Sequence, residues 1–288
     1  MSARAYLILV LLVVVAGGAG YAWKTQSGTA SLGRTKDASY HSKALAATVH
    51  YAVYLPAGYG DSSKRYPVVY FLHGLPGTAR SHEDIGFITR PIEQSGMPAI
   101  VVGAQGARGG DTDPEWHNWG PGRNWETATA RELVSVIDRR YRTIASRKAR
   151  ALIGISAGGY GAALIAIHHP SVYSVIESWS GYFHPTNPAG TALMDMGSKE
   201  ANDWANAHAL VSKLSRIFAR YPLTNYRFYV GTDDKKFLGD NRKFDKELTA
   251  ARVRHYYAEY AGGHSQSFWK EHEEDWVTAA LRKLERPH

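Results

Sequence analysis

Short apolar stretches alternate with helically patterned segments along most of the chain. Residues 66–72 are almost continuously apolar, which is typical of a strand buried on both faces of a sheet. Residues 124–141 instead place Leu133, Val134 and Ile137 on one face of a helix. The two patterns recur and predict strands at 48–55, 66–72, 99–102, 151–153, 175–179, 226–230 and 253–260, and helices at 124–141, 157–168, 243–251 and 267–284.

This alternation predicts an α/β fold, in which a mostly parallel sheet carries helices on both faces. We expect one catalytic domain over residues 40–288, because a single α/β domain of about 250 residues is common. Residues 182–220 follow neither pattern throughout their length. They predict an irregular segment with one or two short helices, which lies between strands where a small cap over a site could form.

The first 39 residues have a different character. Arg4 precedes an uncharged run at 5–23 that is strongly apolar at its centre and contains small residues towards its end. This pattern fits a signal peptide, and the run is also long enough to span a bilayer as an uncleaved anchor. Residues 24–39 are rich in Gly, Ser, Thr and Lys and predict a linker. Both alternatives predict export: the domain is secreted, or it is held at the cytoplasmic membrane through residues 5–23.

Charge and cysteine content narrow the classes of function. The formal net charge is +8, but the basic residues are dispersed and no nucleic-acid-binding signature appears, so we predict no nucleic-acid partner. The chain has no cysteine, which excludes disulfides and thiolate catalysis. The acidic residues and His117 between positions 111 and 117 show no ligand spacing typical of a cation site. We therefore predict neither a metal nor a cofactor.

A serine motif follows the predicted strand at 151–153. Gly154-Ile155-Ser156-Ala157-Gly158 lies between that strand and the helix at 157–168. Acyl transfer needs a hydroxyl at the apex of such a tight turn, where the next residue's N–H points at the developing oxyanion. This context predicts Ser156 as the nucleophile and Ala157 as one oxyanion donor. A serine that only caps the helix is the structural alternative.

A glycine-containing loop, His73-Gly74-Leu75-Pro76-Gly77, directly follows the strand at 66–72. In folds that carry such a serine turn, the loop at this place supplies the second oxyanion N–H. Leu75 is the predicted donor, because proline at position 76 has no N–H. We expect a structural role for His73.

The predicted base and acid follow later in the chain, in the order that this type of triad requires. His264 lies in Gly262-Gly263-His264-Ser265, after the last predicted strand and before the last helix, which is the place of the triad base. Gly231-Thr232-Asp233-Asp234 follows the strand at 226–230. An acid here would orient the imidazole, and both Asp233 and Asp234 qualify.

Taken together, these motifs resemble the Putative esterase family, which includes esterase D, feruloyl-type esterases and secreted mycolyltransferases. The resemblance extends from about residue 48 to 281 and includes Gly-Gly-His-Ser-Gln-Ser-Phe-Trp around His264. It implies the α/β-hydrolase fold. It also implies Asp234 as the acid, because the family pattern is Gly-Thr-x-Asp. The mycolyltransferase branch usually has Glu at this place, so Asp favours the plain esterases.

The resemblance also implies residues that bind substrate. Trp125 and Glu126 match the family's helix before the nucleophile strand, and Ser265 and Trp269 match positions that follow the histidine in the mycolyltransferase branch. These four residues are the predicted substrate-binding residues.

Three functions remain open from the sequence. The first is hydrolysis of a carboxylic ester through an acyl-enzyme on Ser156. The second is transfer of that acyl group to a sugar or lipid alcohol, with a lipid or glycolipid as substrate. The third is a catalytically silent envelope-binding protein, against which the intact Ser156, Asp234 and His264 argue.

Overall fold

The computed structural model describes residues 33–111, 115–187, 191–223 and 225–288. The predicted targeting segment at 1–23 lies outside these residues. Within the described ranges, eight strands form one sheet in the order β1-β2-β4-β3-β5-β6-β7-β8. They are β1 (Arg34–Ser42), β2 (Ala47–Leu55), β3 (Val68–Leu72), β4 (Ile100–Ala104), β5 (Arg150–Ile155), β6 (Val175–Trp179), β7 (Asn225–Gly231) and β8 (Tyr256–Tyr260).

The sheet is mostly parallel, as predicted. β1 pairs with β2, and β2 with β4, in antiparallel orientation, whereas all pairs from β4 to β8 are parallel. The helices are α1 (Gly86–Ser95), α2 (Trp125–Thr127), α3 (Val134–Arg140), α4 (Ala157–His168), α5 (Lys199–Ala205), α6 (Ala207–Arg220), α7 (Leu238–Ala250) and α8 (Gln266–Leu281). A π-helical segment, Ala128–Leu133, joins α2 to α3.

Two hydrophobic cores cover the two faces of the sheet. One contains Leu164 of α4, Leu214 of α6 and Phe244 of α7, and the other contains Ile88 of α1 and Trp276 of α8. Successive residues of β3 alternate between these cores. A strand covered on both sides must be apolar at every position, which explains the continuous apolar run in the sequence. The predicted α/β architecture is confirmed.

The structure corrects the sequence analysis at three places. The strand β1 begins at Arg34, so the end of the predicted linker at 24–39 belongs to the sheet. The helix α1 was not predicted. The segment 182–220 was predicted to be irregular, with one or two short helices. Its helix α6 instead belongs to the body of the domain, because it buries Leu210 and Leu214 in the core shared with α4 and α7. Among the described helices, none is both long and apolar enough to cross a membrane.

Candidate active site

The turn between β5 and α4 holds Ser156 in a strained conformation. Its backbone φ is +55° and its ψ is −119°, a region that residues other than glycine rarely adopt. The Ser156 N–H donates to Trp179 O at 2.9 Å, and the Tyr160 N–H donates to Ser156 O at 3.1 Å. The neighbouring strand and the first turn of α4 therefore fix the serine backbone from both sides.

The glycines of the motif are required by close approach of the backbone. A Cβ on Gly154 would collide with the carbonyl of Gly158, and a Cβ on Gly158 would collide with the carbonyl of Leu72. The turn can therefore close against the end of β3 only with glycine at both positions. This contact explains in physical terms why the Gly-x-Ser-x-Gly pattern occurs here.

His264 joins the serine to a buried carboxylate. Its Nε2 lies 3.0 Å from Ser156 Oγ, and its Nδ1 lies 2.8 Å from Asp234 Oδ2. An ionised carboxylate only accepts, so the Nδ1–H donates to Asp234 and leaves Nε2 to accept the serine proton. The edge-on rings of Phe237 and Trp269, with centroids 5.2 and 5.1 Å from that of His264, flank the imidazole.

The structure brings Asp234, and not Asp233, to the histidine. Asp234 is 1% exposed, and its Oδ1 accepts from the backbone N–H groups of Lys236 and Phe237, both at 3.2 Å. The Asp233 side chain is exposed. Because both oxygens of Asp234 are engaged, the carboxylate can orient His264 with little freedom of its own.

His73 stabilises the loop after β3 as a neutral imidazole. Its Nε2 accepts from the Gly106 N–H at 3.1 Å, so its Nδ1–H donates to Gly74 O at 2.7 Å. Burial lowers the pKa of His73 to about 4. The Trp116 indole N–H donates to the carbonyl of His73 at 3.1 Å. These contacts agree with the predicted structural role of this histidine.

A cleft of about 230 Å³ opens over Ser156. Its wall combines apolar side chains with polar groups, some of which come from the loop before α1 and from the start of α8. The lining residues are Phe71, His73, Gly74, Leu75, Pro76, Ser81, Asp84, Phe87, Ile155, Ser156, His264, Gln266 and Trp269. Leu75 therefore borders the cleft. Ala157, the other predicted oxyanion donor, is buried as the first residue of α4, directly after the serine.

Of the four predicted substrate-binding residues, only Trp269 lines the cleft. Its ring borders the space, and its indole N–H donates to Ser180 Oγ at 3.0 Å. Ser265 instead caps α8, because its Oγ accepts from the Phe268 N–H at 3.3 Å. Ser265 is not among the residues that line the cleft, so its contact with substrate stays a prediction.

Trp125 and Glu126 also lie away from the cleft. Trp125 is 1% exposed within the core, and Glu126 is 2% exposed. Glu126 Oε1 lies 3.1 Å from His168 Nδ1 and 2.8 Å from His169 Nε2. Burial alone would raise the pKa of Glu126, but the hydrogen bonds from the two imidazoles lower it to about 2. Both residues are structural, which corrects their assignment to substrate.

Sequence reasoning missed the side of the cleft formed by the loop before α1 and by α1 itself. Ser81, Asp84 and Phe87 lie there, and Gln266 lies opposite at the start of α8. The only signal for α1 was a weak apolar pattern at Ile88 and Ile92, interrupted by a proline.

Among the described residues, two groups of side chains could hold a metal ion, and neither lines the cleft. One is Asp37 with His50 and His82, and the other is His184 with His208 and Asp240.

Comparison with known proteins places this geometry in context. The model of a family described as Putative esterase matches residues 42–272. Esterase Rv1288 of Mycobacterium tuberculosis H37Rv is 28% identical over 237 residues, which cover 74% of this chain and 51% of that protein. The chain thus spans about half the length of this curated relative.

Solved structures share the fold. A ferulic acid esterase superposes with a TM-score of 0.73 at 21% identity, covering 88% of this chain and all of the other. The S-formylglutathione hydrolase of Agrobacterium tumefaciens superposes with a TM-score of 0.71 at 20% identity, covering 89% of this chain and 98% of the other. At these identities the likeness establishes the fold, which is that of the α/β-hydrolases.

Proposed function

The chain belongs to the Putative esterase family, and from this premise we propose that it hydrolyses carboxylic esters through an acyl-enzyme on Ser156. One observation carries the proposal. The imidazole of His264 lies between Ser156 Oγ, at 3.0 Å, and the buried Asp234 carboxylate, at 2.8 Å, beside an open cleft. A nucleophile, a base and an orienting acid within hydrogen-bond distance are the arrangement that acyl transfer requires.

The proposed reaction has two halves. His264 Nε2 takes the proton of Ser156 Oγ as the oxygen attacks the ester carbonyl carbon. The tetrahedral intermediate collapses, the C–O bond to the alcohol breaks, and His264 returns the proton to the departing alcohol. Water then enters, gives a proton to His264 and attacks the acyl carbon, and the acid leaves as Ser156 regains its proton.

Asp234 and the backbone stabilise the charges that develop in both halves. The Asp234 carboxylate stabilises the imidazolium of His264 and keeps its Nδ1 protonated, so that Nε2 faces the serine. We assign the oxyanion to the N–H groups of Leu75 and Ala157. Ala157 begins α4, and the positive end of the helix dipole favours negative charge at this place.

We propose a small or planar acyl group as the preferred substrate. The cleft of about 230 Å³ is smaller than the 300–1,000 Å³ or so of typical pockets for drug-sized ligands. Phe87 and Trp269, whose ring centroids are 6.4 Å apart in an edge-on arrangement, offer aromatic surface beside the serine. Cinnamate-like acyl groups fit this wall, and the solved ferulic acid esterase is consistent with them.

Turnover of an ester panel tests the activity and the acyl preference together. We expect methyl ferulate and short p-nitrophenyl esters to be cleaved with higher kcat/KM than palmitoyl esters. A fluorophosphonate probe should label the wild type and the Ser265→Ala variant, and should leave Ser156→Ala unlabelled. Absence of labelling in the folded wild type would favour the silent binding protein instead.

Acyl transfer is the alternative fate of the same acyl-enzyme. Product analysis with and without trehalose or another sugar alcohol distinguishes the two reactions. We expect free acid as the main product in both conditions. Acylated sugar as the main product would replace hydrolysis with transfer.

We also propose export, on the basis of the apolar run at 5–23 after Arg4. Expression of the full chain in a bacterial host, followed by fractionation and N-terminal sequencing, tests it. A mature N-terminus after residue 16 would indicate a cleaved signal, and an intact chain in the membrane fraction would indicate an anchor. Recovery of the intact chain from the cytosol would overturn the proposal.

A further inference from the structure

A cluster of two imidazoles and a carboxylate lies outside the catalytic cleft. We propose that His184, His208 and Asp240 bind one divalent transition-metal ion of the zinc class, with Glu247 as a positioning residue. The three segments involved are the loop after β6, the helix α6 and the helix α7. None of these residues lines the cleft over Ser156.

The side-chain atoms converge as metal ligands do. His208 Nε2 lies 2.9 Å from Asp240 Oδ1, and His184 Nε2 lies 3.1 Å from the same oxygen. The three ligand atoms all lie within 4.8 Å of one another. Zinc bonds of about 2.0–2.2 Å in a tetrahedron separate neighbouring ligand atoms by about 3.3–3.6 Å. Small side-chain adjustments are therefore sufficient to place all three atoms around one ion.

The environment of His208 favours a cation at the centre of the cluster. Its Nδ1 lies 2.5 Å from Glu247 Oε2, so a carboxylate faces each ring nitrogen. When the Nδ1–H of a neutral imidazole donates to Glu247, its Nε2 lone pair points towards Asp240. A cation between Nε2 and Asp240 Oδ1 removes the repulsion between these two acceptors. A carboxylate on the outer nitrogen is the usual support of a metal-binding histidine.

The remaining contacts orient the other two ligands. Asp240 Oδ2 accepts from the Phe183 N–H at 2.8 Å, which leaves Oδ1 directed at the two imidazoles. His184 also borders a cavity of about 370 Å³ together with Asp195, Asn202 and Asn206. This cavity gives an ion and its water molecules a route to the ligands.

The place of the cluster in the fold indicates a stabilising role. The ion would connect the loop after β6 and the helix α6 to α7, which begins four residues after Asp234. An ion that binds the folded chain but not the unfolded chain stabilises the folded state. At a concentration of about 100 times its Kd, it should raise the Tm by about 5–10 °C. No step of ester hydrolysis depends on this ion.

Zinc titration of the full chain tests the proposal after EDTA treatment and dialysis. Calorimetry and elemental analysis should show one tightly bound Zn²⁺ per chain, with the expected rise in Tm. His184→Ala should lose that ion, and its partly exposed side chain makes the variant compatible with folding. Asp37→Ala, in the other His/Asp group, is the matched control and should keep both the ion and the rise in Tm.

Cobalt substitution gives a second readout that does not depend on stability. Co²⁺ in the wild type should show visible d–d bands of a tetrahedral N/O site, and His184→Ala should lose them. Circular dichroism checks that the variant is folded. The proposal is overturned if the folded wild type binds no Zn²⁺ tightly, or if folded His184→Ala binds Zn²⁺ and Co²⁺ as the wild type does. The second result would place the bound ion at another site.

Discussion

An imidazole and a carboxylate lie in contact beside each end of α4, but their surroundings differ. At its start, His264 contacts Asp234 and faces Ser156 and the cleft. At its end, His168 and the adjoining His169 contact Glu126. The side chain of His264 is 24% exposed, whereas those of His168 and Glu126 are each 2% exposed.

The difference shows that an imidazole on a carboxylate does not by itself make a catalytic site. His264 uses its second nitrogen for a hydroxyl in an open cleft, whereas His168 directs its second nitrogen to the carbonyl of Trp204 at 3.1 Å. The helix dipole adds to the contrast, because its N-terminal end stabilises anions and its C-terminal end stabilises cations. The start of α4 therefore suits an oxyanion, which its end would destabilise.

Removal of the nucleophile should have the largest effect. Ser156→Ala leaves both imidazole–carboxylate pairs in place, yet kcat for ester hydrolysis should fall by about 10⁶. Steady-state kinetics with a p-nitrophenyl ester measures this, and circular dichroism confirms folding. Turnover close to that of the wild type in a folded variant would show that the start of α4 is no more reactive than its end.

Loss of the charge on the acid comes next. Asp234→Asn removes the acceptor that fixes the tautomer of His264, and kcat should fall by about 10⁴. Asp233→Asn is the matched control and should stay close to wild type, because its side chain is exposed. If the two variants behaved in the opposite way, Asp233 would be the acid in the working enzyme.

Removal of a backbone N–H from the loop after β3 should have an intermediate effect on kcat. Leu75→Pro deletes one backbone donor without adding charge, and kcat should fall by about 10²–10³. Leu75→Ala keeps the N–H and serves as the control for lost side-chain contacts. Equal kcat values for the two folded variants would place the second oxyanion donor elsewhere.

The end of α4 should affect stability but not turnover. Glu126→Gln should leave kcat within about twofold of wild type, since Glu126 lies outside the cleft. The pKa of the Glu126 carboxyl is lowered from 4.5 to about 2, so its ionised form stabilises the folded chain. This stabilisation is fully present above pH 4.5 and is lost as the pH falls through 2. At neutral pH, the free energy of unfolding of Glu126→Gln should therefore be about 3 kcal/mol lower than that of the wild type. Between pH 4.5 and 2, it should change less with pH than that of the wild type.

Urea unfolding at neutral and acidic pH measures both effects. His41→Gln is a suitable surface control, because its side chain lies on an exposed part of β1. A large fall in kcat in Glu126→Gln would mean that the two ends of α4 are coupled during catalysis.

The sequence predicted the parts of the fold that are governed by burial. β3 and β5 are apolar at most positions because both faces are covered, and α4 was predicted with its observed bounds. β1 lies at the sheet edge, and its first four residues are exposed, so it carries no apolar pattern. α1 contains Pro91 and only a few buried residues, which weakened its helical signal.

The site was predictable where position along the chain determines geometry. In parallel strands, the loops after β3, β5, β7 and β8 meet at the carboxyl edge, which brings Leu75, Ser156, Asp234 and His264 together. The direction in which each side chain points was not predictable in the same way. Trp125 and Glu126 match the family pattern but point into the core, and Ser265 faces the amide of Phe268. The histidines of the proposed metal cluster come from distant segments, so no spacing could indicate them.

The strained turn at Ser156 has a consequence for the evolution of this chain. A residue in such a conformation costs about 1–3 kcal/mol, and glycine would adopt the same backbone with less penalty. Selection for thermal stability alone would therefore tend to replace the serine with glycine and lose the hydroxyl. As long as activity is under selection, the lineage must retain a locally unfavourable backbone in the turn after β5, and stabilising substitutions should accumulate at other positions.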